Sequence, residues 1–203
     1  MTHVADGQPE QACRCLWLGA GGSGKTYSYT KVVRPMLQHF CGARSYIATA
    51  PTHAATRLLG LESHTLHKVA NVSPQSRLDR HSIRRQAIKR TPLEKAIEMA
   101  VALILDELSM SPSDIYHGAG YRCSILRQER LSLNLERYMA LDMWFGKMPI
   151  GIQLGDFFQL RPTAQKSLCE WLDENAVENE ENQDCVFGVF GGGRVVRFSF
   201  TNL

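Results

Sequence analysis

Eight consecutive residues, Gly19-Ala20-Gly21-Gly22-Ser23-Gly24-Lys25-Thr26, match the pattern GxxxxGK[ST] in full. The chemistry such a run supports is phosphate binding. Glycine accepts positive φ, so the loop can turn its N–H groups onto an anion. Those groups and the helix N-terminus behind them supply positive potential. Lys25 adds a mobile point charge for the β- and γ-phosphates, and the Thr26 hydroxyl can ligate Mg²⁺. An apolar run ends at Leu18 and a helical stretch begins near Gly24, so the loop stands between a strand and a helix. A glycine-rich turn with an exposed lysine would not need that context. This is a nucleotide site.

A phosphate loop needs an acid for the metal. Leu103-Ile104-Leu105-Asp106-Glu107 is an apolar strand ending in adjacent carboxylates. There Asp106 can reach the Mg²⁺ shell, and Glu107 is then free to orient and deprotonate the attacking water. A strand end followed by a helix cap would have the same residues, but after a phosphate loop the pair favours hydrolysis. Gly155-Asp156-Phe157-Phe158-Gln159-Leu160 follows another apolar run. Gln159 suits a γ-phosphate sensor, because its amide can donate to a phosphate oxygen and accept from water. The same spacing also fits a turn with two aromatic core residues.

These residues need a scaffold. Apolar runs at 13–18, 46–50, 101–105, 150–154 and 195–200 read as strands, several nearly continuous, as for strands covered on both faces. Helical stretches at 25–40, 53–59 and parts of 114–145 lie between them. That rhythm predicts an α/β domain with a mostly parallel sheet and crossover helices. A polar tail occupies 1–12 and the domain 13–203. A basic insertion at about 71–95 carries Pro74 and several serines, with some helix towards its end. An acidic connection spans about 170–184, and Gly191-Gly192-Gly193 marks a turn before the last strand.

Of 203 residues, 44% are hydrophobic and 21% charged, which excludes collagen-like, coiled-coil and wholly disordered chains. No apolar run approaches the roughly 20 residues that cross a bilayer, and the polar N-terminus is not a secretory signal. The net charge of +3 hides two opposed patches. Lys68, Arg77, Arg80, Arg84, Arg85, Lys89, Arg90 and Lys95 face only Asp79 and Glu94, whereas 170–184 is acidic throughout. The basic stretch fits either a polyanion partner or a solvated loop. Cys13 and Cys15 form C-x-C without a second cluster, which suits packed thiols on one strand face and a reducing, intracellular compartment.

The motifs together, in this order, resemble superfamily 1B DNA helicases of the Pif and RecD-like type. The phosphate loop corresponds to their motif I. Thr49-Ala50-Pro51-Thr52 with His53-Ala54-Ala55 resembles motif Ia, and Thr65-Leu66-His67 resembles the TLH element. Asp106-Glu107-Leu108-Ser109-Met110 is similar to motif II, and the segment from Gly155 to Pro162 to motif III. The resemblance implies a RecA-like phosphate-loop NTPase domain that hydrolyses ATP with Mg²⁺ and couples it to translocation on single-stranded DNA, in repair and recombination. It implies an ATP site of Lys25, Thr26, Asp106, Glu107 and Gln159, and a DNA path along Pro51, Thr52, Thr65 and His67. By residue type alone, Pro51 and Thr52 also fit a capped turn, and His67 a core histidine. A eukaryotic source would imply nucleus or mitochondrion.

The chain also departs from that pattern. Only 18 residues precede Gly19, so Gln11 stands too close to the loop to be the family's adenine-binding glutamine, and Arg161 replaces the first proline of motif III. The ending FSFTNL resembles the strand leading out of a first RecA-like domain. A second such domain, in cis or in trans, is expected to complete the motor; without it the chain would be a nucleotide- and DNA-binding module that does not unwind.

Overall fold

Successive residues along the apolar runs face opposite sides of a sheet, and the core divides accordingly. Ile47, Leu103 and Leu105 join one buried cluster, whereas Ala48, Ile104, Ile152 and Leu154 join another. A sheet with two apolar faces needs a layer of helices on each. That is the architecture found in the computed structural model, which describes residues 13–60, 62–72, 91–133, 144–156, 161–162, 166–168 and 170. The strands are β1 (Cys13–Leu18), β2 (Tyr46–Ala50), β3 (His64–Thr65), β4 (Ala102–Leu105) and β5 (Ile150–Gly155). All pair in parallel, in the order β1-β5-β4-β2-β3. The expected mostly parallel α/β sheet is therefore present.

One helical layer follows the phosphate loop: α1 (Lys25–Ser28), a π-helical turn (Tyr29–Val33) and α2 (Arg34–Cys41), with α3 (His53–Leu59) beside them. In place of the single helix expected over 25–40, a π-helical turn divides the stretch. The wide turn stands immediately ahead of Pro35, whose ring would clash with the carbonyl four residues back and which has no N–H to give it. Tyr29, Leu37 and Leu59 pack this layer onto Ala48, Ile104, Ile152 and Leu154.

The opposite layer holds α4 (Leu66–Ala70), α5 (Pro92–Met99) and α6 (Ser113–Leu131). Thr91 starts α5 with a capping box: its hydroxyl accepts from Glu94 N–H at 3.3 Å while Glu94 accepts from Thr91 N–H at 2.6 Å. Residues 92–95, the end of the basic stretch, thus belong to a helix packed on the core. Glu94 also pairs with buried Arg122 of α6. Arg127, fully buried, donates to the carbonyls of Ile97, Glu98 and Ala100 at the end of α5 and to Gly146. A guanidinium satisfies the orphan carbonyls that every helix C-terminus leaves.

The expected strand at 195–200, the acidic connection after Glu170, the tail at 1–12 and most of the basic stretch lie outside the described residues. Among the described residues no helix is long and apolar enough to cross a membrane, and Cys13, Cys15, Cys41 and Cys123 are free thiols.

Candidate functional site

In a parallel sheet every strand delivers its C-terminal end to the same edge. Register fixes which ends meet: Leu18 stands opposite Gly155, Leu105 opposite Gln153, and Ala50 opposite Thr65. The phosphate loop, Asp106, Asp156, Pro51 and Thr65 therefore leave one edge together. β5 lies between β1 and β4, so the loop and Asp106 face each other across the end of that strand.

The loop is built as its glycines require. Gly22 and Gly24 have φ of 77° and 88°, in the left-handed region that glycine enters without penalty. Gly19 N–H donates to Gly155 O at 3.2 Å, anchoring the loop to β5. Lys25 Nζ bridges back to Gly19 O at 2.5 Å and Ala20 O at 3.0 Å, holding the loop closed over its own ammonium. Gly21, Gly22 and Ser23 are exposed at its rim.

Across β5, Thr26 Oγ1 donates to Asp106 Oδ2 at 2.7 Å. The other carboxylate oxygen accepts from Glu107 N–H at 2.9 Å, so one buried acid ties the loop helix to the next catalytic candidate. Thr26 and Asp106 present hard oxygens side by side, the donor type Mg²⁺ prefers. Among the described residues no group of three or more His, Cys, Asp or Glu is arranged to hold a metal alone. A two-oxygen site fits an ion that takes its other ligands from phosphates and water.

Glu107 adopts φ 53° and ψ 47°, a left-handed conformation that costs a non-glycine residue about 1–3 kcal/mol and persists only where its surroundings enforce it. Its carboxyl is raised above the ordinary glutamate value, chiefly by burial, then by Asp106, with Lys25 opposing and Asp156 adding. Asp156, 5% exposed at the end of β5, is thus part of this electrostatic centre. The sequence reading used it only to place Gln159. Its signal was its position next to the end of an apolar run. Gln159 itself lies outside the described residues.

The expected DNA-facing residues gather on the same edge, one strand further out. Thr52 caps α3, its hydroxyl accepting from Ala55 N–H at 3.2 Å. Thr65 caps α4 by accepting from Lys68 N–H at 3.3 Å. Both capped turns are therefore real, and each hydroxyl keeps its own proton to donate. Thr52 is exposed, Pro51 and His67 are half-buried, and Thr65 is buried. Burial lowers the His67 pKa, which favours a neutral imidazole. Of the basic stretch, Lys68 and Lys95 are exposed among the described residues.

Comparison with known proteins adds three findings. The family profile described as an AAA domain matches residues 7–117. No curated protein matches the chain. Among solved structures, Bacteroides Pif1 bound to ssDNA is 25% identical with a TM-score of 0.52, over 81% of this chain and 33% of that one. The Pif1 helicase from Candida albicans reaches a TM-score of 0.58 at 18% identity, over 75% of this chain and 31% of that one. Bacteroides Pif1 in complex with ADP-AlF3 and ssDNA gives 0.53 at 23%, over 81% and 33%. The last two likenesses concern the fold, which is that of a RecA-like domain. The chain spans about a third of the length of these structures.

Proposed function

The chain belongs to the AAA-domain family, and from that premise we propose that it is an ATP-binding and ATP-hydrolysing domain of a Pif1-like, superfamily 1B DNA helicase. The observation that carries this reading is the 2.7 Å bond from Thr26 Oγ1 to Asp106 Oδ2, which joins the phosphate loop to the acid on β4 across β5. A structure similar to this chain, Bacteroides Pif1, is bound to ssDNA, which supports single-stranded DNA as the polymer partner.

Each residue has a task in this reading; that of Gln159, outside the described residues, rests on the sequence alone. Lys25 and the loop N–H groups hold the phosphates. Thr26 and Asp106 hold Mg²⁺, which supplies charge neutralisation at the phosphates when bound. Glu107 accepts a proton from the attacking water, and its raised carboxyl makes it a stronger base than an ordinary glutamate. Gln159 orients that water and contacts the γ-phosphate. Pro51, Thr52, Thr65 and His67 line the DNA path; Thr52 donates its hydroxyl proton to a phosphate, and neutral His67 contributes a hydrogen bond without charge. Such contacts position a strand without reading its sequence.

A second RecA-like domain, in cis or in trans, supplies the other wall of the cleft and the late catalytic groups. These 203 residues alone accordingly bind Mg-ATP and turn it over slowly. The test is ATP hydrolysis by the purified chain with and without single-stranded DNA, with Glu107→Gln as control. Slow turnover abolished by Glu107→Gln supports the reading. Binding with no Glu107-dependent turnover would instead make the chain a nucleotide- and DNA-binding module.

A further inference from the structure

Gly155 touches both halves of the candidate site, and the two contacts use different parts of it. Its carbonyl accepts from Gly19 N–H at 3.2 Å, fixing the start of the phosphate loop. Its bare α-carbon faces Leu108. A Cβ built there would lie 3.2 Å from Leu108 Cβ and 3.7 Å from Leu108 N, and 3.8 Å from Leu18 Cδ2 on the other side. The first of these is tighter than side chains normally approach, so Leu108 would have to move by a few tenths of an ångström. The constraint is one of space, because Gly155 is not among the glycines with positive φ.

Leu108 has little room to give. It is 2% exposed and opens the 3₁₀ turn Leu108–Met110. The turn is closed by Met110 N–H to Glu107 O and Ser111 N–H to Leu108 O, both 3.0 Å. Beyond it, Ser113 N–H donates to Lys166 O at 3.1 Å, and Pro112 pairs with Ser167. The turn is thus held at its far end and seated on Gly155 at its near end. The residue forced into the left-handed conformation is the one just before it, Glu107, at φ 53°.

We propose that Gly155 is a positioning residue that sets the gap between the phosphate loop and the Glu107 carboxylate, by admitting Leu108 against the end of β5 while its carbonyl anchors Gly19. This rests on the reading of Glu107 as the hydrolytic base. The effect of Gly155 on Glu107 runs through Leu108.

Gly155→Ala separates the two contacts, since it keeps the carbonyl and adds only the methyl group. Mg-ATP affinity, read with a fluorescent ATP analogue, is expected to stay within about threefold, because Lys25, Thr26 and Asp106 are untouched. Single-turnover ATP hydrolysis with protein in excess is expected to fall at least tenfold. Hydrogen exchange at the Met110 amide, whose acceptor is Glu107 O, is expected to quicken at least tenfold, and that readout does not depend on activity. Leu108→Gly, which removes the Cβ that seats against Gly155 without adding bulk, should give the same split and covers the case in which Gly155→Ala does not fold. Ile152→Ala, a cavity on the same strand away from the turn, should leave the ratio of hydrolysis to binding unchanged. Unaltered Met110 exchange in both test variants would overturn the proposal whatever the chain's activity. Hydrolysis by the wild type that persists unchanged in both would overturn it as well. A wild type that binds no Mg-ATP would overturn the nucleotide reading alone, leaving the exchange result to decide the positioning.

Discussion

Thr26 Oγ1 donates to Asp106 Oδ2 at 2.7 Å although the two residues are 80 positions apart in sequence. The contact exists because β5 threads between β1 and β4, bringing the loop helix over the end of the acid's strand. Hydroxyl and carboxylate are thereby adjacent without any intervening side chain, and Asp106 still has an oxygen to hold Glu107 N–H. The residues proposed to bind phosphate, hold the metal and activate water are tied through this one acid.

Lys25 has a double duty that predicts a large binding defect. Its ammonium closes the loop onto Gly19 O and Ala20 O and supplies a charge to the phosphates. Hydrogen bonds to charged groups contribute about 1.5–3 kcal/mol each. Lys25→Ala should weaken Mg-ATP binding about 10- to 100-fold, measured by calorimetric titration.

Glu107→Gln should leave nucleotide affinity nearly intact while hydrolysis falls by about 10²–10⁴-fold, the range for losing a general base. The pH dependence follows from its raised carboxyl. Hydrolysis should fail, as pH drops, at a higher pH than an ordinary glutamate would give. Stability runs the other way: between the ordinary value and the raised one the folded chain binds more protons than the unfolded chain, so stability falls as pH rises through that window. Melting temperatures of wild type and Glu107→Gln across this range should diverge, with the glutamine variant losing that slope.

How far the site was legible depended on distance along the chain. The phosphate loop, Asp106 and Glu107 are contiguous patterns, and they could be picked out from a few neighbouring residues. So could the strands at 13–18 and 46–50, where apolar residues run nearly unbroken. β3 is two residues long and α4 five, too short for any period to show. Nothing local to Gly155 in the sequence points to its packing, because its contacts with Gly19 and Leu108 exist only once β5 lies between β1 and β4. Arg127 lies within the helical stretch expected in parts of 114–145, and nothing in its neighbours marks it as fully buried. Both cases turn on long-range packing, to which local patterns are blind.

Arg127 should be the most costly basic residue to remove. Arg127→Ala removes a donor from the carbonyls of Ile97, Glu98, Ala100 and Gly146, of which Ile97 O keeps Ala100 N–H and Glu98 O keeps Arg130, and is expected to cost about 3–5 kcal/mol. Arg127→Lys should recover little, because a single ammonium cannot reproduce the planar fork. Urea denaturation of both variants provides the comparison.

The basic stretch makes a prediction from charge alone. Reversing Arg84 and Arg85 to glutamate should weaken single-stranded DNA binding and flatten its dependence on salt, because fewer counterions are released per complex. Fluorescence anisotropy at several salt concentrations reads both. An unchanged slope would assign the stretch to solubility.

The proposed function requires the Thr26–Asp106 junction to be a metal-nucleotide site. Its most direct test is calorimetric titration of ATP into the chain with and without Mg²⁺, repeated with Asp106→Asn. The proposed function predicts that Mg²⁺ tightens binding to the wild type at least tenfold, about 1.4 kcal/mol, and that Asp106→Asn loses most of this gain while keeping its metal-free affinity. Absence of ATP binding, or an equal Mg²⁺ gain in Asp106→Asn, would contradict it.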